Sequence, residues 1–281
     1  MKVKIVSDST CDLSPELIQK YDVAILPLYV LIGDQMRKDG VEVTPEDIYS
    51  YVDETGKLPS TSAPNFGDFE DEFKKWVDQG YEVVHFNISS DFSSSYQNAC
   101  TAAEHLNGVY VVDTRNLSTG SGLVVLRGAE LAREGRSAAE IKAECDAMVD
   151  KVEASFVVDS IDYLHKGGRC SSVAALGANL LKLKPLIEVI DGKMSAGKKY
   201  RGNIDKVILN YVTDKLSGRD DIDKHRIFIT HTKCNELTIQ QVRKKINDLS
   251  PGFEEILDTT AGCTVTSHCG PGTLGVLFVR K

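Results

Sequence analysis

The chain has 281 residues, 42% of them hydrophobic and 26% charged, with 41 acidic against 33 basic side chains for a formal charge of −8. That length favours two domains, and the apolar content excludes a disordered chain. The acidic balance argues against broad electrostatic binding of nucleic acid or of an anionic membrane.

Short branched-apolar runs alternate with amphipathic stretches, which predicts βαβ units and a largely parallel sheet. Val3 to Val6 reads as a first strand, followed by a polar turn from Ser7 to Asp12. Ser14-Pro15-Glu16 supplies an N-cap, a proline in the first turn and an early acid, so a helix starts there. Val23 to Ile32 reads as a buried strand bent or edged at Pro27, and Thr44-Pro45-Glu46-Asp47 repeats the helix-start signature. Phe66, Phe69, Phe73, Trp76 and Val77 lie on one helical face that ends before Gly80. Tyr81 to Ile88 and Val109 to Val112 are strands. Ser93 to Leu106, Ser118 to Glu134 and Ala138 to Val152 are helices.

The texture changes at Ala154. Phe156 to Val158 predicts a strand, Ser171 to Leu181 a small-residue helix, and Leu186 to Ile190 a strand entering an Asp191-Gly192 hairpin. Helices at Ile204 to Leu216 and Glu236 to Leu249 flank a strand at Ile227 to Thr230. Glu255 to Asp258 and Leu274 to Val279 then close a mixed sheet. The expected fold is α/β in two domains: residues 1–153 around a mostly parallel sheet flanked by helices, and residues 154–281 as a mixed α/β domain.

No apolar run is long enough to span a bilayer, and the opening Met1-Lys2-Val3-Lys4 lacks a secretory h-region. The seven cysteines are scattered without a C-x-x-C pair, which fits reduced thiols and a cytoplasmic location.

Several familiar motifs fail in context. Gly270-Pro271-Gly272-Thr273-Leu274-Gly275 has the letters of a dinucleotide fingerprint, but it leads into a strand rather than opening a helix. There is no P-loop, and the six histidines are dispersed without metal-ligand spacing. His268 and Cys269 are adjacent, and on a strand neighbours face opposite ways, so a buried thiol is the better reading of Cys269 than a catalytic pair.

What remains is a set of loops rich in hydroxyls, with isolated cations. Helix capping accounts for the Ser7 and Thr44 regions. It accounts for only part of the Ser89 to Ser95 run, because one hydroxyl caps a helix. Hydroxyls, helix amides, one arginine and one histidine gathered at the carboxyl ends of the strands suit a small anion, carboxylate or phosphate.

These loops resemble the DegV family of bacterial fatty-acid-binding proteins. The resemblance runs through Ser7-Asp8-Ser9-Thr10-Cys11-Asp12-Leu13, Thr61-Ser62-Ala63-Pro64, Phe92-Ser93-Ser94-Ser95-Tyr96-Gln97, Val112-Asp113-Thr114, Tyr163 to Arg169, Lys184-Pro185-Leu186 and His268-Cys269-Gly270-Pro271-Gly272, in order along the whole chain. It implies one acyl chain buried between two α/β domains. By the same resemblance Thr61 and Ser93 hold the lipid carboxylate, with Ser62 and Ser94 beside them and His268 and Arg169 close by. Arg201, in Tyr200-Arg201-Gly202, matches an arginine that docks a partner fatty-acid kinase, which phosphorylates the bound acid. The chain itself is then a lipid carrier with no catalytic residue, no metal and no cofactor beyond its fatty acid. Its partners are the acid and the kinase, with transient membrane contact allowed and no nucleic acid. Departures from the family pattern are Phe92 for leucine, Ser94 and Ser95 for Gly and Thr, and Asn65 for serine; Ser94 is costly if that position needs positive φ. The competing readings are a stand-alone hydrolase or phosphotransferase using Ser93 or Cys269, and a small-anion sensor.

Overall fold

The computed structural model describes residues 2–170 and 183–281. The helix expected over Ser171 to Leu181 lies outside them. Two large sheets and one small one organise the described residues. The first sheet has the order β2-β1-β6-β7, formed by Lys2–Asp8 (β1), Ala24–Leu26 (β2), Tyr81–Asn87 (β6) and Val109–Asp113 (β7), and all its pairings are parallel. Parallel neighbours need crossovers, and the amphipathic segments between the strands supply them as helices. Phe66–Val77 (α3) and Ser95–Ala103 (α4) cover one face, where Phe69 and Phe73 meet Val6, Val83 and Val111.

The second sheet, of order β10-β9-β8-β13-β11-β12, is mixed. Its strands are Val152–Val157 (β8), Leu183–Ile190 (β9), Lys193–Arg201 (β10), Ile222–Thr232 (β11), Glu255–Thr260 (β12) and Thr273–Arg280 (β13), and only β11 with β12 is parallel. Asp191 and Gly192, at φ of 50° and 79°, make the expected tight turn between β9 and β10. Ile204–Leu216 (α8) and Glu236–Leu249 (α9) cover its outer face.

Between the sheets lie Thr119–Arg133 (α5) and Ala138–Val149 (α6). The α5 helix is buried along most of its length, apart from the charged stripe of Arg127, Glu130 and Arg133. Its leucines and valines share one core with Ile5, Val84 and Phe86 of the first sheet and with Ala154, Phe228 and Leu277 of the second. The two halves of the chain therefore join through one helical layer.

Val23 to Ile32 is not one strand. It breaks at Pro27 and Leu28 into β2 and Tyr29–Ile32 (β3), which belong to different sheets. The small sheet β4-β3-β5 adds Gln35–Lys38 (β4) and Ser60–Ser62 (β5). The helix starts at Pro15–Tyr21 (α1) and Pro45–Thr55 (α2) form as expected, with Ser14 accepting from Leu17 N and Thr44 closing a capping box with Asp47. Two short helices go beyond the sequence expectation: Asp162–Gly167 (α7) and Cys263–Cys269 (α10).

At the centre of the second sheet the fully buried Tyr211 hydroxyl donates to Ser155 O at 2.6 Å and accepts from Val276 N at 2.9 Å. Tyr211→Phe removes the group that serves both, and an unpaired buried amide costs about 1–3 kcal/mol. Urea unfolding should show that loss as a lower midpoint with an unchanged slope; an unchanged midpoint would contradict the assignment.

Candidate functional site

A cavity of about 760 Å³ opens where β5, the loop before α4 and the short helix α10 meet. Thr61, Ser62, Ser93, Ser94, Arg169 and His268, the six residues expected around the lipid carboxylate, all line it. Much of the remaining wall is apolar, with Leu28, Ile88, Phe92, Leu117, Val265 and Met194 on it. A smaller apolar cavity of about 30 Å³ shares Leu117, Val265 and Cys269 with it and reaches Phe156 and Leu277.

The polar groups arrive on four different segments. Thr61 is carried by β5, paired across from Val30 of β3. Its Oγ1 lies 2.8 Å from His268 Nε2, so these two groups, 207 residues apart in sequence, are in direct contact. His268 occupies the last turn of α10, not a strand, and on a helix its neighbour Cys269 turns away into an apolar cluster with Phe92, Phe156 and Leu164. The His268 Nδ1 atom is sealed from solvent, with no hydrogen-bond partner among the described residues. A methyl group on Gly167 would lie 2.4 Å from that nitrogen, so the chain at 167 abuts the ring and has no room for a side chain. Gly270, at φ +71°, ends α10 in the left-handed region, and a side chain there would strike the Tyr163 ring at 2.5 Å.

Ser93 precedes α4 and accepts from Ser95 N at 3.1 Å, which leaves its hydroxyl hydrogen available to a ligand. Ser94 stands at the N-cap with φ −73° and ψ 0°, so this position does not require a glycine. Ser95 turns inward and donates to Asn87 Oδ1 at 3.1 Å. Asn65 caps α3 by accepting from Gly67 N and Asp68 N, which an asparagine does as well as a serine. Asn98 of α4 donates to Pro64 O at 2.8 Å and ties the loop after Thr61 to the helix behind Ser93.

Burial pushes the His268 imidazole down to about 4, and the nearby Arg169 charge acts in the same direction. The ring is therefore neutral near pH 7, and of the two groups expected to supply positive potential only Arg169 does so. Arg169 is exposed, with Nη1 donating to Gly167 O at 2.7 Å. Cys269 is pushed up to about 12, first by burial, so its thiol stays protonated and is no nucleophile. Ser93 Oγ has no histidine or carboxylate partner among the described residues, so nothing there activates it. Among the same residues no group of three or more His, Cys, Asp or Glu could hold a metal ion.

Arg201 lies elsewhere. It is exposed at the end of β10, at the opposite end of that strand from the cavity-lining Met194. Sequence reasoning missed Asp12 and Asp39, which bind the start of α10.

The family model described as "Uncharacterised protein, DegV family" matches residues 2–281. A DegV domain-containing protein of Clostridium acetobutylicum is 34% identical over 284 residues, covering 100% of this chain and 99% of its own. A solved DegV family protein from Thermus thermophilus, described for its fatty acid binding, superposes with a TM-score of 0.89 at 31% identity, covering 100% of both chains. A stearic acid-binding protein from Eubacterium ventriosum superposes with a TM-score of 0.83 at 27% identity, covering 99% of this chain and 98% of the other. With its α/β architecture matched over its full length, the chain belongs to the DegV family.

Proposed function

We propose that the protein binds one long-chain fatty acid in the 760 Å³ cavity and presents its carboxylate to a fatty-acid kinase for phosphorylation to the acyl-phosphate. In this reading residues 1–153 and 154–281 act as two lobes that enclose the ligand, and the chain contributes binding without bond-breaking chemistry. The observation that carries it is that Thr61, Ser93, His268 and Arg169 all line one cavity whose remaining lining is largely apolar, with Thr61 and His268 in direct contact.

The physics favours such an arrangement. Each buried methylene contributes about 0.8 kcal/mol, so an apolar slot binds an acyl tail with no cofactor. The acidic end is the difficulty, because a carboxylate leaving water must meet donors. Thr61 and Ser93 donate to its oxygens, Ser62 and Ser94 stand beside them, and Arg169 supplies positive charge. The tail runs past Leu117 and Val265 toward Phe156 and Leu277. The inert Cys269 and the unactivated Ser93 weigh against a stand-alone hydrolase or phosphotransferase.

Native mass spectrometry of protein purified from cells should show one bound fatty acid. Thr61→Val combined with Ser93→Ala removes two hydrogen bonds to a charged group and should weaken binding by roughly 2–4 kcal/mol, about thirtyfold to a thousandfold. Circular dichroism should remain unchanged. Wild-type affinity in the double variant would reject these residues as carboxylate ligands.

Arg201 is the proposed contact for the kinase, since it is exposed and outside the cavity. Lys198 on the same strand is engaged by Asp214 at 2.6 Å and is the weaker candidate. Arg201→Glu should leave fatty-acid affinity unchanged while slowing acyl-phosphate formation by added kinase at least about tenfold, the equivalent of roughly 1.4 kcal/mol. An unaltered rate would remove Arg201 from the docking surface.

A further inference from the structure

Helix α10 is short, and what holds it is not local. Its first amides point at the carboxyl groups of two buried aspartates, Asp12 and Asp39, from the other half of the chain. Cys263 N donates to Asp39 Oδ1 at 2.9 Å and Thr264 N to Asp39 Oδ2 at 3.1 Å, so both oxygens of Asp39 are committed to the helix. Ser9 Oγ also donates to Oδ2 at 3.0 Å, and Gly262 N donates to Asp12 Oδ1 at 2.8 Å. A carboxylate at a helix N-terminus satisfies orphan donors and complements the helix dipole, and charge-assisted bonds of this kind are the strong ones.

Asp39 directly follows β4, and its own N–H donates to Leu28 O just before β3. That same small sheet carries Thr61 on β5. One sheet thus grips α10 at both ends: through Asp39 at the first turn and through Thr61 at His268 in the last. Cys263 packs between these grips with Val30, Val43 and Ile48.

We infer that Asp39 is a positioning residue for ligand binding, setting through α10 where His268 stands against Thr61. The inference deepens the carboxylate reading above and rests on it for its consequence in affinity. Its geometric core, the coupling of Asp39 to His268, does not.

Asp39 and Asp12 differ in a way that makes the test selective. Asp39→Asn places an NH₂ group against a backbone N–H, whichever way the amide turns, so one bond of the grip is lost. Asp12 accepts from Gly262 N on one oxygen and meets the Ser118 hydroxyl with the other. The side-chain amide of Asp12→Asn keeps both bonds, its oxygen accepting from the backbone N–H and its NH₂ donating to the hydroxyl. Burial already pushes the Asp12 carboxyl up to about 8, so a neutral side chain is no novelty there.

The experiment follows the His268 titration by NMR on ¹⁵N-histidine-labelled protein freed of lipid, together with hexadecanoate affinity. In the wild type burial holds the His268 imidazole down, to about 4. In Asp39→Asn the loosened ring gains solvent, and its titration should move up by about one pH unit or more, with affinity falling about tenfold or more. Asp12→Asn should move neither. Should Asp39→Asn fail to fold, Ser9→Ala, which removes a donor from Asp39 Oδ2, should shift the titration in the same direction by less. Unmoved titration in the folded variants, or an equal shift in Asp12→Asn, would overturn the inference. A shifted titration with unchanged affinity would sustain the coupling and reject the His268 contact with Thr61 as a determinant of carboxylate binding.

Discussion

A fatty acid asks two opposite things of a binding site: an apolar slot for the tail and fixed polar partners for an ionised end. Neither requirement can be relaxed in favour of the other, because a carboxylate drawn into hydrocarbon surroundings without donors costs more than several methylenes return. In the proposed site one cavity offers both kinds of lining. Its hydroxyls and its cation come from the short strand β5, from the segment before α4 and from just beyond α7. Its apolar wall comes from residues that also belong to the core joining Phe92, Phe156 and Val265.

Short elements do the precise work. The two large sheets and the helices between them form a rigid frame, yet Thr61, His268 and Arg169 sit on β5, on α10 and just beyond α7, none longer than seven residues. Such elements have little stability of their own and are held by what they touch. Asp39, Asp12, Gly167 and Tyr163 are those contacts.

Legibility in the sequence follows the range of the determining interaction. Helices at Ile204–Leu216 and Glu236–Leu249 stand where their period places them, because Asn203 and Asn235 cap them from the preceding position. The same holds for the Asp191-Gly192 turn. By contrast, Cys263-Thr264-Val265-Thr266 is rich in branched residues, which favour a strand. It is helical because its amides meet a carboxylate 224 residues away in sequence, and no local pattern announces that. The polar β5 has neither alternation nor apolar content to mark it, and Pro27, which reads as a bend, is a break between sheets. The candidate site residues are legible through the order of loop motifs. Their supports are not, since Asp12 lies in a segment that reads as a polar turn and Asp39 in one that carries no motif.

The central claim is that the polar wall recognises an ionised head group rather than merely tolerating one end of a greasy molecule. Comparing hexadecanoic acid with hexadecanol by calorimetry near pH 7 isolates it, because the tails are the same and only the charged terminus differs. The acid should bind at least about thirtyfold more tightly, the equivalent of roughly 2 kcal/mol. Equal affinity, or preference for the alcohol, would contradict the claim.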